Sequence, residues 1–156
     1  MDPEFWRARL QRLSKEPRQL AIFPRPELSR PGVEVLELRL RAHDGARLTA
    51  LLARSAFADE GLEIRLRACP EASGEELDFT TVEGGGTDLV VQYPSGRRLE
   101  DRVLDLVRVA EAACSLERLD CTRVKLVASD SCVQDEFAIV EFLRREGWMS
   151  RPSGSP

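Results

Sequence analysis

Apolar side chains change their spacing several times along these 156 residues, and each change marks a different element. From Pro3 to Leu13, Phe5, Trp6, Leu10 and Leu13 fall at helical intervals, while Asp2-Pro3 supplies an N-cap and a proline at the first helical position. A short amphipathic helix is predicted, with the Phe5-Trp6 pair plugging the core. Four prolines, Pro17, Pro24, Pro26 and Pro31, then interrupt Ser14 to Gly32. Each removes a backbone donor and restricts the residue before it, so a packed, extended connector is expected, breaking helix and strand alike and anchored by Ile22 and Phe23.

Val33 to Arg41 (VEVLELRLR) and Arg47 to Ala53 (RLTALLA) read as two strands joined around His43-Asp44-Gly45, where Asp-Gly is a turn signal. An antiparallel hairpin is predicted. The apolar phase of its first strand shifts between Val35 and Leu36, which suggests a bulge or a twist. Leu62 to Ala68 alternates cleanly, as a strand with one wet face near a sheet edge would. Pro70 to Glu76 reads as a loop, Leu77 to Val82 has no clear period, and Gly84-Gly85-Gly86 reads as a flexible turn. The unbroken Leu89-Val90-Val91 run within Asp88 to Tyr93 fits a strand buried on both faces.

Leu99 to Cys114 places Leu99, Val103, Leu106, Val107, Ala110 and Ala113 on one stripe, with Glu100, Asp101, Asp105 and Arg108 elsewhere, as in an amphipathic helix. Arg123 to Ala128 reads as another strand, Ser129 to Cys132 as a sharp connector, and Gln134 to Arg145 as a second strong helix stopped by Gly147. Phe137, Ile139, Val140 and Leu143 should point inward. Residues 149–156, rich in Ser, Gly and Pro, should be a disordered tail. Strand and helix alternating after a hairpin implies a three-layer α/β domain over residues 1–148, with a mostly parallel sheet and a helical, proline-rich lead-in over 1–32.

Composition narrows the function. Hydrophobic residues make up 42% and charged residues 32%, with a net charge of −4, and no stretch approaches the roughly 18 apolar residues of a membrane helix. The opening Met-Asp-Pro-Glu-Phe-Trp has no basic or apolar secretory region, so a cytoplasmic location is expected. Cys69, Cys114, Cys121 and Cys132 show no C-x-x-C pair and read as reduced thiols. His43 is the one histidine, which excludes a multi-histidine metal site within this chain. No metal and no cofactor are expected.

Several stretches together resemble the N-terminal half of an α/β-hydrolase of the acetyl xylan esterase and cephalosporin-C deacetylase family. They are Glu4-Phe5-Trp6 with Leu10, the lead-in ending at Pro31-Gly32-Val33-Glu34-Val35, the hairpin Asp44-Gly45-Ala46-Arg47-Leu48, the helix Arg102 to Ala113, and Leu119-Asp120 with Arg123-Val124. The match covers about two-thirds of the chain, and residues 58–98 align poorly. In that family such a helix and strand lead to a nucleophile on a G-x-S-x-G elbow, whose glycines permit a strained turn. Here the equivalent stretch is Val127-Ala128-Ser129-Asp130-Ser131-Cys132-Val133, with no glycine, and register places Asp130 nearest the nucleophile and Ser131 next to it. The family's acid and histidine come from strands beyond this point.

The resemblance thus implies a hydrolase scaffold without its activating groups. His43 would serve as a base only if the hairpin turn reached the elbow, and the resemblance puts it far from there. The simpler role for Asp130 or Ser131 is to cap the helix that follows. Cys132 at that helix start reads as an incidental thiol rather than an activated one. Ser95, Arg97 and Arg98 follow a strand and precede a helix, so they are candidate anion ligands, although the match to any nucleotide motif is poor and a solvated loop is the preferred reading. Arg39, Arg41, Arg65 and Arg67 suggest a basic ladder on two strands. Interleaved Glu34, Glu37 and Glu63 point to cross-strand ion pairs there rather than nucleic-acid binding.

The leading expectation is an esterase-like domain that has lost catalysis and acts by binding. A family sheet that stopped at 123–128 would leave that strand's edge open, to be covered by the lead-in, by the strand Leu62 to Ala68, or by a second copy or protein partner. The alternatives are an active acetyl-ester hydrolase completed by another subunit, and a small anion- or nucleotide-binding domain using Ser95 to Arg98.

Overall fold

The computed structural model describes residues 2–16, 19–55, 63–69, 82, 87–92, 96–116, 125–128 and 134–147, with backbone alone for 63–69, 125–128, 134 and 137. Its elements are α1 (Pro3–Lys15), β1 (Ala21–Pro24), β2 (Val33–Arg41), β3 (Arg47–Ser55), β4 (Glu63–Cys69), β5 (Thr87–Gln92), α2 (Leu99–Leu116), β6 (Lys125–Ala128) and α3 (Gln134–Arg145). The expected loop at 70–76, the glycine turn at 84–86, the connector at 129–132 and the tail at 149–156 lie outside the described residues.

The start of α1 follows the reading of its sequence. The Asp2 carboxylate accepts the Glu4 N–H at 3.1 Å, satisfying a donor that the first turn leaves without a helical partner. Trp6, Leu10 and Leu13 are buried, and Phe5 meets Trp6 edge-to-face at 5.2 Å.

The six strands form one sheet in the order β1-β2-β3-β5-β4-β6. The expected mostly parallel sheet is corrected: β1, β2, β3 and β5 pair antiparallel, and β4 runs parallel to both β5 and β6. The hairpin and lead-in put three antiparallel neighbours into the sheet. Two parallel pairings remain for the strand–helix half, where crossovers demand them.

The lead-in also departs from expectation. Its Ala21–Pro24 is a strand, paired with Leu36 to Arg39 of β2 at one end of the sheet. Proline is tolerated there because an edge strand leaves one row of backbone groups outside the ladder. Ile22 and Phe23 are exposed rather than anchoring, and the Arg39 guanidinium stacks over the Phe23 ring at 4.3 Å. The anchors are Leu20, packed on the main core, and Leu28, packed on a smaller one.

No bulge interrupts β2 against β3: their register runs unbroken from Val33 opposite Ser55 to Arg41 opposite Arg47. The phase shift in the sequence arises because both faces of the hairpin are buried, each over a different length. Leu36, Leu38 and Leu40 join Leu48, Ala50, Leu52, Leu89 and Val91 under the three helices. Val33 and Val35 join Leu51, Ala53, Val82 and Val90 on the opposite face. Thr87 to Val91 of β5 are fully enclosed, as their apolar run implied.

The separation of β2 from β4 by β3 and β5 removes the proposed arginine ladder. Cross-strand pairing does occur between Glu34 and Arg54, which face each other in register at 3.2 Å. β4 is the penultimate strand, paired on both sides. Among the described residues β6 pairs with β4 on one side and with no strand on the other, and the lead-in lies at the far end of the sheet.

Candidate functional site

Register fixes which loops share an end of the sheet. Thr49 of β3 and Cys69 of β4 both lie opposite Gln92 of β5, and Ala128 of β6 lies opposite Leu66 of β4. The hairpin turn 42–46 therefore stands at the same end as the C-termini of the three parallel strands. This is the end where open α/β sheets bind ligands. The order of strands then separates sites along that end: β6 is three places from β3, about 14 Å at ordinary strand spacing.

The turn is closed by Gly45 N–H to Ala42 O at 3.0 Å and Ala42 N–H to Ala46 O at 2.8 Å, with Gly45 at φ +84°. That backbone geometry is the one for which Asp-Gly is suited. It projects His43 and Asp44 toward the first turns of α2. His43 Nε2 and Asp101 Oδ1 are 2.8 Å apart, and Asp44 accepts from Arg97 Nη1. Arg97 also donates through Nε and Nη2 to both oxygens of Asp105, at 2.9 and 2.7 Å.

Asp105 is completely buried, which corrects its expected place on a polar helix face. Burial holds its carboxyl above the ordinary value in spite of the bidentate arginine. The same two bonds hold the Arg97 guanidinium above its ordinary value, so it remains charged. Arg97 lowers the Asp44 carboxyl. At Asp101 burial acts upward, but the bond from His43 and the charges of Arg97 and Arg98 prevail, and the net direction is down. Arg108, also expected outward, is buried because it carries three acceptors with it: the carbonyls of Arg41, Leu13 and Glu16 at 2.9, 2.8 and 3.0 Å.

These contacts place the residues singled out in the sequence. The Arg97 side chain is buried and engages two carboxylates, so its donors hold the turn to the helix. Arg98 is 81% exposed and lies 3.7 Å from Asp101. His43 forms a link between the turn and α2, and among the described residues no hydroxyl or thiol bonds to its ring. Asp130, Ser131, Cys132 and Ser95 lie outside the described residues. Cys114 is a buried free thiol. Among the described residues no three His, Cys, Asp or Glu side chains are grouped to hold a metal ion, and no helix is long and apolar enough to cross a membrane.

The acid partners Asp44, Asp101 and Asp105 were not anticipated. For Asp101 and Asp105 the signal is their four-residue spacing, which sets them on one line along the start of α2, with Arg97 four residues before Asp101.

No family model and no curated protein matches the chain. Solved structures do. The acetyl xylan esterase from Paenibacillus sp. R4 superposes with a TM-score of 0.63 at 11% identity, over 80% of this chain and 50% of that one. Acetyl xylan esterase 1 from Thermoanaerobacterium sp. JW/SL YS485 gives 0.58 at 14% identity, over 80% and 49%. A hyperthermophilic esterase from the archaeon Pyrobaculum calidifontis gives 0.58 at 12% identity, over 96% and 46%. The likeness is one of fold alone, and the chain spans about half the length of the structures it matches.

Proposed function

We propose that this chain is an esterase-like α/β domain that acts by binding rather than by ester hydrolysis, and that it associates with a second copy or another protein along β6. One observation carries the first part: the single imidazole of the sequence is engaged by Asp101 at the hairpin turn, three strand places from the strand that leads into Ser129 to Cys132. A serine in that loop would need a base that a histidine held at the hairpin turn does not supply, and without such a base a hydroxyl keeps its ordinary reactivity. The association rests on the edge of β6, whose outer side meets no strand among the described residues. An exposed strand edge offers backbone groups to another strand.

The test is turnover of p-nitrophenyl acetate, measured beside light scattering at tens of micromolar. The expected result is no turnover above buffer, no change with Ser131→Ala, and a dimer or larger species. Turnover abolished by Ser131→Ala would favour instead an active acetyl-ester hydrolase whose site another subunit completes. A monodisperse monomer would remove the association.

A further inference from the structure

The hairpin end carries a second feature, beside β1 and the end of α1. A cavity of about 300 Å³ is lined by Gln19, Arg39, Arg41, Arg47, Leu48 and Thr49, with Ala21 and Leu40. It adjoins one of about 340 Å³ lined by Glu16, Gln19, Arg41, Ala42, His43 and Gly45. Gln19 and Arg41 belong to both.

Three arginines therefore converge on a chain whose net charge is −4. Two of them, Arg41 and Arg47, are directly opposite in the antiparallel register. Like charges so placed repel, and a hairpin gains nothing from the arrangement by itself. Arg39 is balanced by Glu37, but among the described residues no carboxylate pairs with Arg41 or Arg47. Glu37 on the same face is taken by Arg25 at 2.5 Å and by Arg39. Arg41 donates to a neutral carbonyl, that of Gly45 at 3.2 Å, and Arg47 has no ion pair among the described residues. Gln19, at the junction of the two cavities, is the non-glycine residue with positive φ among those described, at +52°. Such a conformation persists where surrounding structure imposes it, and it concentrates at binding sites.

We infer that these cavities form a site for a phosphomonoester. The phosphate sits between Arg41 and Arg47, within reach of Thr49 and Gln19, and the organic body extends into the adjoining cavity past His43 toward Glu16. Two guanidiniums match the charge and oxygen geometry of a phosphate, and its charge relieves their repulsion. Glu16 supplies an acceptor for a hydroxyl at the other end. This inference is independent of the non-hydrolytic reading, because it uses no residue of the 129–132 loop.

The experiment is thermal unfolding of the full chain with inorganic phosphate and with glycerol 3-phosphate, against sodium chloride at equal ionic strength. Both phosphates are expected to raise the Tm saturably, with glycerol 3-phosphate binding about tenfold tighter or more because its body fills the second cavity. Arg47→Gln, at an exposed position, should fold normally and weaken both about tenfold or more. Arg98→Gln should leave both unchanged. No saturable shift overturns the site. A shift that survives Arg47→Gln but is lost in Arg98→Gln overturns it too, by placing the anion at the start of α2. Equal affinity for the two phosphates overturns the two-cavity arrangement.

Discussion

The two faces of the β2–β3 hairpin are made from alternate residues of the same strands, and they have been put to different uses. The helix-side face is apolar from Leu36 and Leu52 to Leu40 and Leu48, a stretch sealed by α1, α2 and α3. The opposite face is divided. Its far half, Val33, Val35, Leu51 and Ala53, packs on Val82 and Val90, while its hairpin half presents Arg39, Arg41, Arg47 and Thr49 to a cavity. Burial of apolar area stabilises the first face, whereas the polar half of the second adds little to stability. A surface that contributes so little and concentrates like charge is better explained by what it binds.

Substitutions separate the two uses. The largest effect is expected at Leu52, which is wholly buried: Leu52→Ala should lower unfolding free energy by about 4 kcal/mol through lost transfer energy and a residual cavity. Thr49→Ala on the polar face should change it by less than about 0.5 kcal/mol in the same denaturant titration. Equal losses would erase the contrast.

Next comes the connection between the hairpin turn and α2. Arg97→Ala strands the Asp105 carboxyl in a dry site and should destabilise by about 3 kcal/mol. Replacing both partners with apolar residues, Arg97→Met with Asp105→Leu, should recover most of that loss. A double variant as unstable as the single one would show that the pair does more than compensate its own burial.

The smallest effect has the opposite sign. Arg47→Glu converts a like-charged cross-strand pair into an attractive one and should stabilise the chain by about 0.5 kcal/mol, as seen by chemical denaturation at low salt. A loss of stability would mean that the Arg41–Arg47 repulsion is already relieved in the unliganded chain.

Much of this fold was legible locally. The Asp2-Pro3 cap, the Asp-Gly turn and the enclosed run of β5 are written in neighbouring residues. The pairing partners were not. The phase shift in β2 suggests a bulge or a twist only if one face is buried, and two cores on opposite faces produce the same pattern. The prolines of the lead-in argue against a strand, but the outer edge of β1 has no ladder for a proline to break.

Burial of Asp105 and Arg108 ran against their charge. Their acceptors and donors come from Arg97 and from the carbonyls of Leu13, Glu16 and Arg41, which only tertiary structure brings close. The candidate site divided in the same way. His43 was visible as the one imidazole, while its partner Asp101 lies 58 positions away. The cationic cavity depended on knowing that Arg41 and Arg47 face each other across the turn.

The account turns on where that imidazole is. With one histidine in the sequence, the His43 ring gives a single set of Cε1 and Cδ2 proton resonances, which can be followed at fixed pH in the unmodified chain and in two variants. The expected result is a clear displacement of those signals in Asp101→Asn, where the carboxylate at 2.8 Å becomes an amide, and none in Ser131→Ala. Signals that move with Ser131→Ala and ignore Asp101→Asn would place the base at the elbow and contradict the non-hydrolytic reading.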